Sequence, residues 1–408
     1  MTRSEVPTSS PPERTGPPIY LDHHATTPCD PRVVAAMLPY FTEDFGNPAS
    51  TSHRWGIDAA LAVQAARESI ARLVAPSAPD PREVIFTSGA TEALNLAIKG
   101  LAEDRPERRR IVVSAFEHRA VLDTCAALAK RGFETVLVPV SPDGFVVPED
   151  VARAVDAGAG AGSGGETLLV AVMAAQNEIG TLQPVAAIGA LCATRGVPLL
   201  VDAVQAVGKT PLDLHAIGAT LGALSAHKLY GPTGVGALWV RRRPPLTLVA
   251  QLDGGGHERG YRSGTLNVPG IVGFGVAAEL ARSEGDAEAT RLLALRTQLW
   301  EALQRGFPDV VLNGAWAPRL AGNLHVALPG VEGAALMRAL PELGLSAGSA
   351  CTSRDLKGSH VLAAIGASDA RRFGSLRIGL GRWTCADEVV YAGARITDMA
   401  GRLRRASP

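Results

Sequence analysis

Amine chemistry has few places to go in this sequence. Of forty basic residues only five are lysines: Lys99, Lys130, Lys209, Lys228 and Lys357. Lys99 and Lys130 stand near expected helix ends, before Gly100 and Gly132, where a solvated cation is favoured. Lys209 and Lys357 fall in polar loops. Lys228 instead closes Ser225-Ala226-His227-Lys228 after an apolar run, ahead of the glycine-rich Tyr230-Gly231-Pro232-Thr233-Gly234-Val235-Gly236. It is the candidate for a buried amine that forms a Schiff base with a carbonyl, a step that needs the amine neutral. Two more features come directly after apolar runs. Asp202 ends Leu199-Leu200-Val201, and a buried acid there calls for a cation, although a helix-capping Asp explains it equally well. Thr87-Ser88-Gly89-Ala90-Thr91-Glu92 comes after Val84-Ile85-Phe86 and opens a helix. Its free N–H groups could receive an anion, although an ordinary cap reads the same way.

The five cysteines, Cys29, Cys125, Cys192, Cys351 and Cys385, are odd in number and form no CxxC pair. Neither a disulfide framework nor a zinc site is indicated. Cys125 and Cys192 lie in helical stretches, where a cysteine is usually a small buried hydrophobe. Cys29 and Cys385 flank expected helix starts. Cys351 differs: Gly348-Ser349-Ala350 precede it and polar Thr352-Ser353-Arg354-Asp355 come after it, the setting of an exposed, mobile loop.

These residues need a scaffold. Strand-like runs at 83–87, 110–115, 135–140, 168–174, 199–202, 221–225 and 236–241 alternate with helical stretches, which predicts a mostly parallel α/β sheet covered on both faces. A helix over 54–74 places Ile57, Leu61, Ala65 and Leu73 near one face. After about residue 283 a long helix (287–306), short strands (322–327, 375–380) and a last helix from Ala386 suggest a smaller α+β domain. The organisation expected is a disordered lead-in (1–18), a segment packing with the small domain (19–31), a large domain (32–283) and a small C-terminal domain (284–408). The run 156–165 reads as a flexible glycine-rich surface loop. Forty basic residues balance forty acidic ones, so no global field favours nucleic acid or a membrane surface. No run of about 18 apolar residues exists, and no secretion signal is visible, so a cytoplasmic home is expected by default.

An anion-binding turn, a strand-end acid and a lysine after a later strand, in that order, make the layout of a fold-type I enzyme that uses pyridoxal 5'-phosphate (PLP). Asp202 would then pair with the protonated pyridine nitrogen that lets PLP act as an electron sink. The sequence resembles the class V aminotransferases through Ser225-Ala226-His227-Lys228. It resembles one branch of them, the cysteine desulfurases of iron–sulfur cluster assembly and RNA thiolation, through Tyr20-Leu21-Asp22-His23-His24-Ala25-Thr26-Thr27-Pro28, Asn177-Glu178-Ile179-Gly180, Val201-Asp202-Ala203-Val204-Gln205, Arg262-Ser263-Gly264-Thr265 and Gly348-Ser349-Ala350-Cys351.

The resemblance implies that Lys228 carries PLP, Asp202 pairs with the ring nitrogen, His118 stacks on the ring and assists catalysis, and Gln205 bonds the ring hydroxyl. It puts Ala90, Thr91, Ser225 and His227 at the phosphate, with Thr265 reaching the phosphate of the neighbouring subunit in a homodimer. Asn177, also beside the cofactor, and Arg377 would hold the substrate carboxylate. Lys228, freed on L-cysteine binding, would remove the α-proton. Cys351 would take the sulfur as a persulfide, leaving alanine, and pass it to an acceptor protein, with transient contact to an iron–sulfur cluster and no resident metal. Gln176 stands where many relatives have an asparagine, and His23-His24 where they vary. The 26 residues from Cys351 to Arg377 match relatives with a long cysteine loop, which lowers the alternative of a selenocysteine lyase. A transaminase has no use for that cysteine, and a silent scaffold would not be expected to keep both Lys228 and Cys351.

Overall fold

The computed structural model describes residues 18–158, 166–347 and 358–406. Cys351, Lys357 and most of the glycine-rich run 156–165 therefore lie outside the described residues.

The chain begins with β1 (Ile19–Tyr20) and then builds a seven-stranded sheet from β2 (Val84–Thr87), β3 (Arg110–Ser114), β4 (Glu134–Val138), β5 (Thr167–Met173), β6 (Leu199–Asp202), β7 (Leu221–Ser225) and β8 (Gly236–Val240). The spatial order is β2-β8-β7-β6-β5-β3-β4. β8 runs antiparallel to both neighbours, and the other pairs are parallel. The expected mostly parallel α/β sheet is observed. Its central strands are apolar along their whole length because helices cover both faces. Alternate residues feed opposite cores: Phe86, Val112, Val170 and Trp239 one face, Ile85, Ile111, Leu169 and Leu238 the other.

Two helical expectations need correction. The helix Arg54–Val74 has the expected bounds, but its buried stripe is Ala59, Val63, Ala66, Ile70 and Val74. Ile57 and Leu61 are exposed, at 46% and 63%. A Cβ on Gly275 would lie 2.6 Å from Ala66 Cα, so at Ala66 this helix comes too close to its neighbour for a larger side chain. That neighbour is the long helix, which starts at Val268 rather than at 287 and runs to Gly306. Gly270, Gly273, Gly275 and Gly285 lower its helix propensity and disguise its first half. Its first half packs on the large-sheet core through Ile271, Phe274 and Ala278. Its second half packs through Leu292, Leu299 and Leu303 on a separate core.

That second core belongs to an antiparallel sheet of β9 (Val311–Leu312), β10 (Asn323–Ala327) and β12 (Ser375–Gly379), in the order β12-β10-β9. β11 (Leu343–Gly344) pairs in parallel with β1, so the first described strand joins the C-terminal part of the fold. Beyond β1 the chain crosses back to the large sheet, where Thr27 N donates to His227 O at 3.0 Å.

Candidate active site

Ligands of open α/β sheets sit beyond the carboxyl ends of the strands, and here one cavity of about 420 Å³ occupies that place. Each wall is a junction after a strand. After β2, Gly89 precedes the helix Ala90–Asp104 and offers no side-chain cap, and Ser88, Gly89, Ala90 and Thr91 line the cavity at that helix start. After β3 comes His118, whose Nδ1 accepts Ala120 N–H at 3.1 Å and starts the next helix. β5 leads to Ala175 and Asn177, β6 to Asp202, Val204 and Gln205, and β7 to Ser225, His227 and Lys228. The small sheet adds Arg377 from β12, and the segment after β1 adds His24 and Ala25.

Asp202 is 7% exposed and accepts Val204 N–H at 3.1 Å. Burial raises its proton affinity, while His118 and Lys228 act the other way. Such a carboxylate is stabilised by a cation in front of it. Lys228 Nζ donates to the carbonyls of His24 at 2.7 Å and Ala25 at 2.5 Å. His227 is pushed down to about 4 by burial and by the nearby Lys228 and Lys209, so its ring is neutral, with Nδ1 3.0 Å from Thr26 Oγ1.

Opposite these groups Arg377, 1% exposed, donates to Asn177 O at 2.9 Å and to Asp22 Oδ1 at 2.7 Å. Its Nε is buried with no hydrogen-bond partner among the described residues. Gln176 does not line the cavity. It receives Glu178 and Ile179 N–H on Oε1 at 2.5 and 3.0 Å and donates to Phe116 O at 3.1 Å. Gln176 is thus a turn-holding amide, with Gly180 beyond it at φ +76, where a Cβ would strike Asn323.

Of the residues singled out in the sequence, the structure gathers Ala90, Thr91, His118, Asn177, Asp202, Gln205, Ser225, His227, Lys228 and Arg377 around one cavity. Thr265 is exposed and is not part of its own chain's wall. Cys351 lies outside the described residues. Sequence reasoning missed Asp22, His24 and Lys209. Lys209, read as a loop lysine, turns inward to Gln205 Oε1 at 3.2 Å; the spacing of four residues, one helical turn, was the available signal.

A parallel sheet with a lysine, an acid and an uncapped helix start around one cavity defines a class of fold, and the relatives agree on which. The class V aminotransferase family model matches residues 19–391, and the chain belongs to that family. A protein named cysteine desulfurase IscS, from Anaeromyxobacter sp. (strain Fw109-5), is 50% identical over 392 residues, covering 96% of this chain and 94% of the relative. Among solved structures, a NifS-like protein superposes with a TM-score of 0.86 at 34% identity, covering 94% of this chain and 99% of its own. One described as SspA in complex with cysteine gives 0.77 at 33%, covering 90% and 99%.

Proposed function

We propose that this chain is a cysteine desulfurase that binds PLP, takes sulfur from L-cysteine onto Cys351 and releases L-alanine. The observation that carries the reading is the single cavity that joins Lys228, Asp202 and an uncapped helix start, in a chain half identical to a relative named for that activity.

The residues fit the cofactor. The free N–H groups of the helix Ala90–Asp104, with Thr91, Ser225 and neutral His227, suit its phosphate. Asp202, buried and raised in proton affinity, suits a protonated ring nitrogen. Gln205 offers an amide to the ring hydroxyl, and His118 a flat ring to stack. When bound, PLP supplies an electron sink that acidifies the Cα–H of an amino acid. Lys228 would hold the cofactor, and its Nζ would take the α-proton of the substrate. Arg377 and Asn177, both on the cavity wall, would fix the substrate carboxylate; charge-assisted bonds of this kind set orientation as well as affinity. The Cys351 thiol, with an ordinary pKa of about 8.5, passes its proton to His118. It then forms an S–S bond as the substrate's C–S bond breaks, so cysteine plus thiol gives alanine plus persulfide with no external oxidant.

The persulfide goes to an acceptor protein serving iron–sulfur cluster assembly or RNA thiolation, in the cytoplasm. A second copy of the chain completes the site through Thr265. In support, Phe41, Phe45, Trp55 and Leu61 are each more than half exposed on the N-terminal helices and the turn beside them, an apolar surface that a partner would cover. The large unit ends near residue 283, where the cores of the long helix change.

The test is direct. Purified protein with PLP and L-cysteine is expected to yield alanine and sulfide. Cys351→Ser is expected to respond spectrally to L-cysteine yet release neither. Undiminished turnover by Cys351→Ser would overturn the persulfide mechanism.

A further inference from the structure

Lys209 takes no part in the proposed reaction, yet it sits on the site. Its Nζ lies 3.2 Å from Gln205 Oε1. His24 Nδ1 lies 3.2 Å from the same oxygen, and Gln205 Nε2 donates to His24 O at 2.9 Å. The His24 carbonyl can only accept, so the amide nitrogen faces it, and the amide oxygen faces the lysine amine, which donates whether charged or neutral. An amide oxygen has two lone pairs, and Lys209 and His24 occupy both. The nitrogen end is then committed to the other side. One of its hydrogens goes to the His24 carbonyl, and the second is left for the cavity that Gln205 lines.

The ground behind Lys209 is built to hold it there. A cavity of about 20 Å³ is lined by His23, His24, Lys209, Tyr230 and Glu288, among others, room for one water. The buried His24 Nε2, unpartnered among the described residues, is a group such a water would satisfy. Burial above all, then Lys228 and Arg377, push the amine toward its neutral form, and Glu288 acts the other way.

We propose that Lys209 is a positioning residue that makes Gln205 an obligate hydrogen-bond donor toward a ring oxygen of the ligand in the main cavity. The inference rests on the PLP reading, which supplies that oxygen as the ring hydroxyl. It explains why a lysine stands one turn beyond Gln205 instead of a solvated side chain elsewhere.

The experiment measures binding to the apoprotein, not turnover. Equilibrium dialysis compares PLP with 3-deoxypyridoxal 5'-phosphate, which lacks the ring hydroxyl. Wild type is expected to prefer PLP. Lys209→Met is expected to lose roughly five- to tenfold of that preference, the effect of about one hydrogen bond, while binding the deoxy compound as wild type does. Gln205→Ala is expected to lose the same ratio, and the double variant no more, since the two act as one unit. Lys209→Arg, which keeps donor and charge, is expected to recover part of it. Equal weakening of both ligands in Lys209→Met would reduce the residue to a packing role and overturn the proposal. Failure of wild type to bind either compound would sink the PLP reading and this inference together, a result distinct from the first.

Discussion

The two ends of the cavity are built by different rules. At the proposed cofactor end, Thr91, Asp202, Gln205, Ser225, His227 and Lys228 all come from strand ends of one sheet or the junctions after them. Each is placed by its own strand and the next turn, and the segment after β1 then bonds Gln205, His227 and Lys228 in position. At the substrate end, Arg377 reaches Asn177 across 200 residues and Asp22 across 355. Asp22 bridges to Gly379 and Ser346 to Arg377, which ties the segments after β1 and β11 to the small sheet, and the bond from Arg377 to Asn177 O carries that assembly to the loop after β5. One end is fixed by local structure, the other by how separate pieces dock. Damage to the first should cost the cofactor, and damage to the second should cost substrate affinity with the cofactor retained.

The largest expected effect is at the cofactor end. Lys228→Ala removes both the covalent anchor and the base, and general-base loss alone is worth about 10²- to 10⁴-fold. Alanine formation is expected to fall by at least about 10³-fold, with PLP lost on dialysis. A Lys228→Ala variant that keeps PLP and turnover would break the comparison at its strongest point. Next comes Arg377→Ala, for which KM for L-cysteine is expected to rise about 10²-fold through loss of a charge-assisted contact, with PLP content unchanged. Asp22→Asn keeps Arg377 but loosens its hold, and a smaller rise of roughly three- to tenfold is expected. If Arg377→Ala purified without PLP, the two ends would not be separable.

That division also explains what the sequence could show. The seven strands of the large sheet appear within two residues of their expected bounds, because continuous β-branched and aliphatic runs between turn residues mark buried parallel strands. The residues just past each strand then recover the cofactor end. The two-residue strands β1, β9 and β11 carry no period to detect. Asp22 and His24 had no local signal, since their partners are remote in sequence. Lys209 was misread because its surroundings are polar in composition while its amine turns inward. The long helix was cut short because its glycines, among them the Gly275 that lets Ala66 approach, read as breaks.

A subtler separation lies in pH dependence. Burial and the nearby Lys228 push Lys209 down to about 7. Between about 7 and its ordinary 10.5 the folded protein then holds it neutral while the unfolded chain keeps the proton. The unfolded state binds more protons there, so Lys209 makes stability rise with pH across that window. Burial pushes Glu117 up to about 8, with Oε1 accepting Ser114 Oγ–H at 2.5 Å and Met173 N–H at 2.9 Å. The folded state holds its proton between about 4.5 and 8, so Glu117 makes stability fall with pH there. Denaturant titrations of the apoprotein are expected to show a flatter rise above pH 7 in Lys209→Met, with the lower window unchanged. Groups facing Lys209, namely Lys228, Arg377, Glu288, Tyr230 and the two histidines, are kept in both proteins. An unchanged upper slope would mean that Lys209 stays charged in the fold.

The smallest expected effects belong to cysteines at neither end. Cys125 and Cys192 are buried, and burial pushes both thiols up to about 12. Cys29 is pushed up to about 11, first by burial and then by the adjacent Asp30. At neutral pH almost none of these sulfurs is thiolate, the form that attacks sulfur. Cys385 is exposed but, like the other three, is absent from the cavity wall. Replacing each of the four with serine is expected to leave alanine formation within about twofold. At Cys125 and Cys192 a stability loss of about 1–3 kcal/mol is expected, because a hydroxyl would be buried where a thiol packed. Activity per folded molecule, measured well below each variant's unfolding midpoint, separates the two effects. Loss of turnover in folded Cys29→Ser or Cys385→Ser, with Cys351 intact, would move the sulfur-accepting role away from Cys351. It would also show that the reacting sulfur is approached from a side of the cavity that neither end accounts for.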